Sequence, residues 1–106
     1  MQDNMDRFYS MLGLAVKAGK VASGSFMVEQ EVRQGRARLV ILTGDIGPAV
    51  SKKIIEGCER YGIPMIGNGD RERLSHAAGK EDRSCFAVTD AGFAGALLKI
   101  YTTDRN

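Results

Sequence analysis

Residues 38–48 decide the fold: Arg38-Leu39-Val40-Ile41-Leu42-Thr43-Gly44-Asp45-Ile46-Gly47-Pro48. Leu39 to Leu42 form an unbroken apolar row with no polar residue alternating among them. A strand with one wet face alternates, whereas an unbroken row marks a strand covered on both faces. The residues after it are small or polar, and Gly47-Pro48 sets proline where a first helical turn tolerates it, because an N–H there has no intrahelical partner. Val50, Ile54, Cys58 and Tyr61 then recur at three- and four-residue spacing, as the buried stripe of that helix.

The same pattern continues on both sides. Upstream, Met5, Phe8, Leu12 and Ala15 predict an amphipathic helix ending near Gly19. A short strand, Val21-Ala22-Ser23, follows, and Ser25 is placed to cap a second helix that buries Val28 and Val32 and ends at Gly35. Downstream, Gly62 stops the long helix before a strand through Met65-Ile66, and Asp70 caps a short helix that ends at Gly79. Cys85-Phe86-Ala87-Val88 is the last strand. Asp90 caps a final helix with Phe93, Leu97 and Tyr101 inward, and the polar tail from Thr102 to Asn106 is expected to fray. Helices alternating with short buried strands imply an α/β fold, a three-layer α/β/α sandwich around a central mixed four-stranded sheet. At 106 residues, the expectation is a single domain over 1–106.

Composition excludes several classes. With 43% hydrophobic and 26% charged residues the chain is an ordinary globular one. No run approaches the roughly 18 apolar residues of a membrane span. The opening Met1-Gln2-Asp3-Asn4-Met5-Asp6-Arg7 is acidic, unlike a signal peptide. A cytoplasmic protein is expected, with Cys58 and Cys85 as buried reduced thiols. Net charge is only +2, but residues 17–53 set Lys17, Lys20, Arg33, Arg36, Arg38, Lys52 and Lys53 against Glu29, Glu31 and Asp45. The positive excess of that third is the footprint a phosphate backbone requires, although solvated helix faces produce similar excesses.

Catalytic constellations are missing from the pattern. His76 is the only histidine, and nothing marks a nucleophile or base beside it. One histidine and two distant cysteines do not make a tetrahedral zinc site. Gly67-Asn68-Gly69 falls far short of a phosphate-cradling nucleotide loop, and Glu29/Glu31 and Glu81/Asp82 read as solvated charges. No catalytic residue, metal, cofactor or small-molecule substrate is expected.

Three loops remain. Lys17-Ala18-Gly19-Lys20 runs into Ser23-Gly24-Ser25, where free N–H groups at a helix start suit a phosphate. Thr43 to Pro48 and Ile66 to Asp70 are turns of the same kind between strands and helices. With parallel strands such loops gather at one sheet edge, where ligands bind. Each loop alone is better explained as caps and turns.

At these residues a family resemblance enters. LGLAVKAGKVASG (Leu12–Gly24), VRQGRARLVILTGD (Val32–Asp45), YGIPMI (Tyr61–Ile66) and LSHAAGK (Leu74–Lys80) stand in one collinear order. They resemble the superfamily of ribosomal proteins L-seven-Ae and L-thirty-e, in its bacterial YlxQ-like branch, from about Phe8 to Tyr101. The resemblance implies an α/β/α sandwich that binds kink-turn or related internal-loop RNA without catalysis or cofactor. Ribosomal RNA is then the natural target, with ribosome association. It also implies that Gly24, Ser25, Phe26, Met27 and Gln30 approach the bases. Gly44, Asp45 and Ile46, with the segment around Ala78, Gly79 and Lys80, complete the surface. Lys20, Arg36 and Lys52 are the expected phosphate contacts. The chain departs from the family's best-defined kink-turn binders, which carry an Asn-Glu pair and a lysine where Phe26-Met27 and Gln30 stand here. Phe26 has two readings: stacking on an unpaired base, or packing under the first helix. Two other functions compete: a protein-interaction adaptor of the same fold, and a recognition fragment of an RNA-modifying enzyme.

Overall fold

The computed structural model describes residues 4–104. Its elements are α1 (Asn4–Lys17), β1 (Val21–Ser23), α2 (Ser25–Arg33), β2 (Leu39–Thr43), α3 (Pro48–Tyr61), β3 (Met65–Gly69), α4 (Arg71–Ala77), β4 (Cys85–Val88) and α5 (Ala91–Asp104). The strands form one sheet in the order β1-β4-β2-β3. β4 is antiparallel to both β1 and β2, while β2 and β3 are parallel. The sheet is therefore mixed, and the expected three-layer sandwich is the observed one.

The apolar row of β2 divides its side chains between two cores. Leu39 and Ile41 pack with Phe8, Leu12, Leu74, Phe86 and Leu97 beneath α1, α4 and α5. Val40 and Leu42 pack with Val28, Val32, Ile54 and Cys58 beneath α2 and α3. Both faces of the strand are dry, which is why no polar residue interrupts it. Each such fully buried side chain contributes about 1.5–3 kcal/mol relative to exposure. Cys58 and Cys85 lie in the second core as free thiols. Burial pushes the Cys58 thiol up to about 11 and raises that of Cys85 as well, so both stay protonated.

Helix boundaries follow local chemistry. The Asp70 carboxylate accepts the Arg73 N–H at 2.9 Å, and the Asp90 carboxylate accepts the Phe93 N–H at 2.9 Å, so both expected caps are present. Four expectations need correction. Ser25 does not cap α2: it is the first helical residue, Gly24 holds the cap position, and no side chain caps this helix. Tyr61 is not part of the buried stripe. It lies at the last residue of α3, beyond the reach of the core, and is 49% exposed. Gly67-Asn68-Gly69 is not a free turn but the end of β3, with a register irregularity against β2 that Asn68 accommodates at φ +60°. Gly69 is tied to its position, because a β-carbon there would collide with the Leu74 side chain. Finally, α5 carries Thr102 to Asp104 as helix, while Arg105 and Asn106 lie outside the described residues. Among the described residues, no helix is long and apolar enough to cross a membrane.

Candidate nucleic-acid interface

The pairing pattern makes β1, β2 and β3 run in one direction and β4 in the other. One edge of the sheet therefore collects the C-terminal ends of three strands and the start of β4. The links across this edge are short backbone hydrogen bonds. Gly24 N–H donates to the Cys85 carbonyl at 3.0 Å, Thr43 N–H to Ser84 at 2.9 Å, and Gly44 N–H to Gly69 at 2.9 Å. The expected gathering occurs for Ser23–Ser25, Thr43–Pro48 and the end of β3, although the sheet is only partly parallel, while Lys17–Lys20 lies at the opposite end.

Gly24 enters α2 at φ +91°, ψ 151°. This backbone region is nearly closed to residues with a β-carbon. The first helical hydrogen bond joins Val28 N–H to the Gly24 carbonyl at 3.0 Å. The N–H groups of Ser25, Phe26 and Met27 precede it and have no intrahelical acceptor, and the positive end of the helix dipole lies with them. Phe26 is 69% exposed and Met27 44%. Ser25 and Gln30 are half-buried on the same turn and the next. An aromatic ring, a thioether and uncapped amides thus stand together at this corner.

The neighbouring loops are locked by charge. Arg71, at the first position of α4, donates from Nε to both Asp45 oxygens at 3.1 and 3.0 Å, and from a terminal nitrogen to Asp82 at 3.2 Å. Thr43 donates its hydroxyl to the same Asp45 carboxylate at 2.8 Å. The Arg71 bond first, and then that from Thr43, hold the Asp45 carboxyl below its usual range. Three loops of the edge are joined through one guanidinium. Ile46 lies half-buried beside them, its N–H donating to the Thr43 carbonyl at 3.3 Å.

Not every expected residue reaches this edge. Lys52, exposed in the second turn of α3, is at the edge's end of its helix. Lys20 precedes β1 and Arg36 precedes β2, so both lie at the opposite end of the sheet. The Lys20 carbonyl accepts the Thr89 N–H there at 2.8 Å, and Arg36 is held by Glu31 at 2.6 Å. Ala78 is buried in the core, and Gly79 and Lys80 stand at the far end of α4, with Lys80 N–H on the Ser75 carbonyl at 2.9 Å. The chain then turns back along α4. What reaches the edge is Asp82, on Arg71, and Arg83, whose guanidinium lies 3.9 Å from the place a Gly24 β-carbon would occupy. The sequence reading missed Arg71 and Arg83. The signal for Arg83 is its place two residues before β4, but its use requires knowing that β4 pairs antiparallel with β1. Among the described residues, no group of three or more His, Cys, Asp or Glu side chains is placed to hold a metal ion.

This architecture has known counterparts. Residues 6–98 match the model of the Ribosomal protein L7Ae/L30e/S12e/Gadd45 family. The chain belongs to this family. Its relatives include the RNA-binding protein YlxQ of Bacillus subtilis (strain 168), 41% identical over 93 residues, which cover 88% of this chain and 93% of that protein. The large ribosomal subunit protein eL30 of Branchiostoma belcheri is 30% identical over 110 aligned residues, covering 95% of this chain and 90% of that one. A protein of unknown function from Bacillus halodurans superposes with a TM-score of 0.85 at 37% identity, covering 90% of this chain and 96% of that one. The Giardia lamblia 15.5kD RNA binding protein superposes at 0.80 with 16% identity, over 99% of this chain and 90% of that one, and so shares the fold.

Proposed function

We propose that this chain is a non-enzymatic, cytoplasmic RNA-binding protein whose sheet edge receives a kink-turn or related internal loop, with ribosomal RNA as the target class. It needs no cofactor, metal or small-molecule substrate. The observation that carries the reading is Phe26, 69% exposed at the uncapped start of α2. Of its two readings, packing under the first helix is not what the side chain does. A large ring left in water beside free amides and the Arg83 guanidinium fits an unpaired base with its phosphate. The name of the Bacillus subtilis relative supports RNA as the partner. In place of the family's Asn-Glu pair, Phe26 and Met27 offer stacking and apolar contact, so recognition rests on splayed bases rather than on reading G·A edges.

The test is a titration of an end-labelled kink-turn RNA against an uninterrupted duplex of equal length. The wild-type protein is expected to prefer the kink-turn. Phe26→Ala should weaken that binding by about 1–3 kcal/mol, the range of base–aromatic stacking, with no change in melting temperature. Equal affinity for both RNAs would remove the internal-loop specificity. No binding to either would favour a protein-adaptor role, for which the adjacent exposed Phe26 and Met27 are the corresponding contact.

A further inference from the structure

We propose that the chain carries a second RNA-contact surface at the end of the sheet remote from Gly24, where Tyr61 stacks on an unpaired base and Arg33, Arg60 and Arg38 hold the flanking phosphates. The proposal accepts the chain as an RNA-binding protein but assigns a site the edge does not contain. α2 and α3 both start at the edge and pack side by side, so their last residues stand together at the opposite end. Gly57 allows the close approach: a β-carbon there would come within 3.0 Å of a Val32 methyl. At the end of the groove between the helices, Tyr61 is 49% exposed and forms a wall common to two adjoining hollows of about 260 and 290 Å³. Arg33 and Arg60 line the first and Arg38 the second.

The charge on this surface is available. Arg33, Arg38 and Arg60 are exposed, and none forms an ion pair or hydrogen bond through its side chain among the described residues. Arg36 beside them is occupied by Glu31. Glu29 and Glu56 lie one helical turn back toward the middle of the groove, and the second hollow has no carboxylate in its wall. Arg33 and Arg60 also complement the negative ends of their helices. That accounts for two of the cations but neither for Arg38 nor for a tyrosine ring left in water between them. An aromatic platform flanked by arginines fits a nucleotide better than a run of acidic side chains, which has no aromatic ring to stack. α3 has 14 residues, so the two surfaces stand about 20 Å apart and engage different parts of an RNA.

The probe is octauridylate, an unpaired strand that forms no internal loop. It is titrated against the Gly24→Val protein, in which the edge is disabled, with thermal melts to confirm folding. Octauridylate should still bind. Adding Tyr61→Ala should weaken it at least about fivefold, the low end of base–aromatic stacking, while Tyr61→Phe should not. Arg33→Gln with Arg60→Gln should lower the slope of log affinity against log salt by about 1.4, for two single-strand phosphate contacts. All three residues are exposed, so these changes spare the core. No octauridylate binding, or binding indifferent to Tyr61 and to the arginine pair, overturns the second site. Displacement by polyglutamate that does not depend on Tyr61 overturns it in favour of a protein partner. Equal affinity of the wild-type protein for kink-turn and duplex, with octauridylate binding intact, sinks the edge reading alone.

Discussion

The Ser75 hydroxyl grips the backbone of Arg83 from both sides, accepting its N–H at 2.9 Å and donating to its carbonyl at 3.2 Å. Ser75 is buried on α4, and Arg83 belongs to the segment that returns from the end of that helix to the start of β4. A single hydroxyl thus closes the loop and fixes where the Arg83 guanidinium leaves it, next to Gly24. The serine reads in the sequence as a small residue of a helix; its work is to anchor a loop across the chain.

Ser75→Ala leaves two backbone groups without partners in a partly buried place. We expect a loss of about 1–3 kcal/mol in urea unfolding, the desolvation cost of such groups. Kink-turn affinity should fall as well, because Arg83 is no longer held. Unchanged stability would show that water replaces the hydroxyl at no cost, and the anchoring role would be wrong.

Asp45 connects stability to pH. Its folded carboxyl sits below the ordinary value of 3.8, through Arg71 first and Thr43 second. A group depressed on folding adds stability above its unfolded value and loses it as pH falls through the folded one. The difference in unfolding free energy between wild type and Asp45→Asn should therefore be constant at neutral pH and shrink once pH drops below about 4. A difference that grew on acidification would contradict the Arg71–Asp45 bond.

Much of this was legible in the sequence, and the exceptions have physical causes. The unbroken row Leu39–Leu42 announced a strand with two dry faces, and Asp70 and Asp90 announced helix starts. Both signals are local. Lys20 and Gly24 are near neighbours in the sequence, but the three positions between them are a strand. At about 3.3 Å per residue, β1 carries the two apart to opposite ends of the sheet. Arg83 was invisible for the opposite reason: it is 59 positions from Gly24 and adjacent only through the β1–β4 pairing. Tyr61 fits the helical stripe by period, but periodicity does not tell where the core ends.

Gly24→Val tests the edge through backbone geometry. Valine at φ +91° is strained whatever space surrounds it, and its branches would enter the approach to the free amides of α2. We expect at least a tenfold loss of kink-turn affinity, about 1.4 kcal/mol. Lys99→Ala, at an exposed position of α5 on the face of the sheet opposite α2, should change it by no more than a few tenths of a kcal/mol. Thermal melts must show both variants folded. Equal small losses would mean diffuse electrostatic attraction without a defined corner.

Arg83→Gln isolates the charge from the geometry. The side chain is exposed and has no ion-pair partner among the described residues, so its removal breaks no bridge, and the Ser75 anchor acts on the backbone and survives. Each phosphate contacted by a cation releases counterions, so log affinity falls with log salt by about 0.7 to 0.9 per contact. A few contacts at the edge give a wild-type slope of about −2 to −5. If the guanidinium beside Gly24 meets a phosphate, Arg83→Gln makes that slope shallower by about one contact, while Lys99→Gln leaves it alone. A weaker affinity with an unchanged slope has a different meaning. Arg83 would then act on a base by stacking or hydrogen bonding, and the phosphate at the start of α2 would be held by the backbone amides alone.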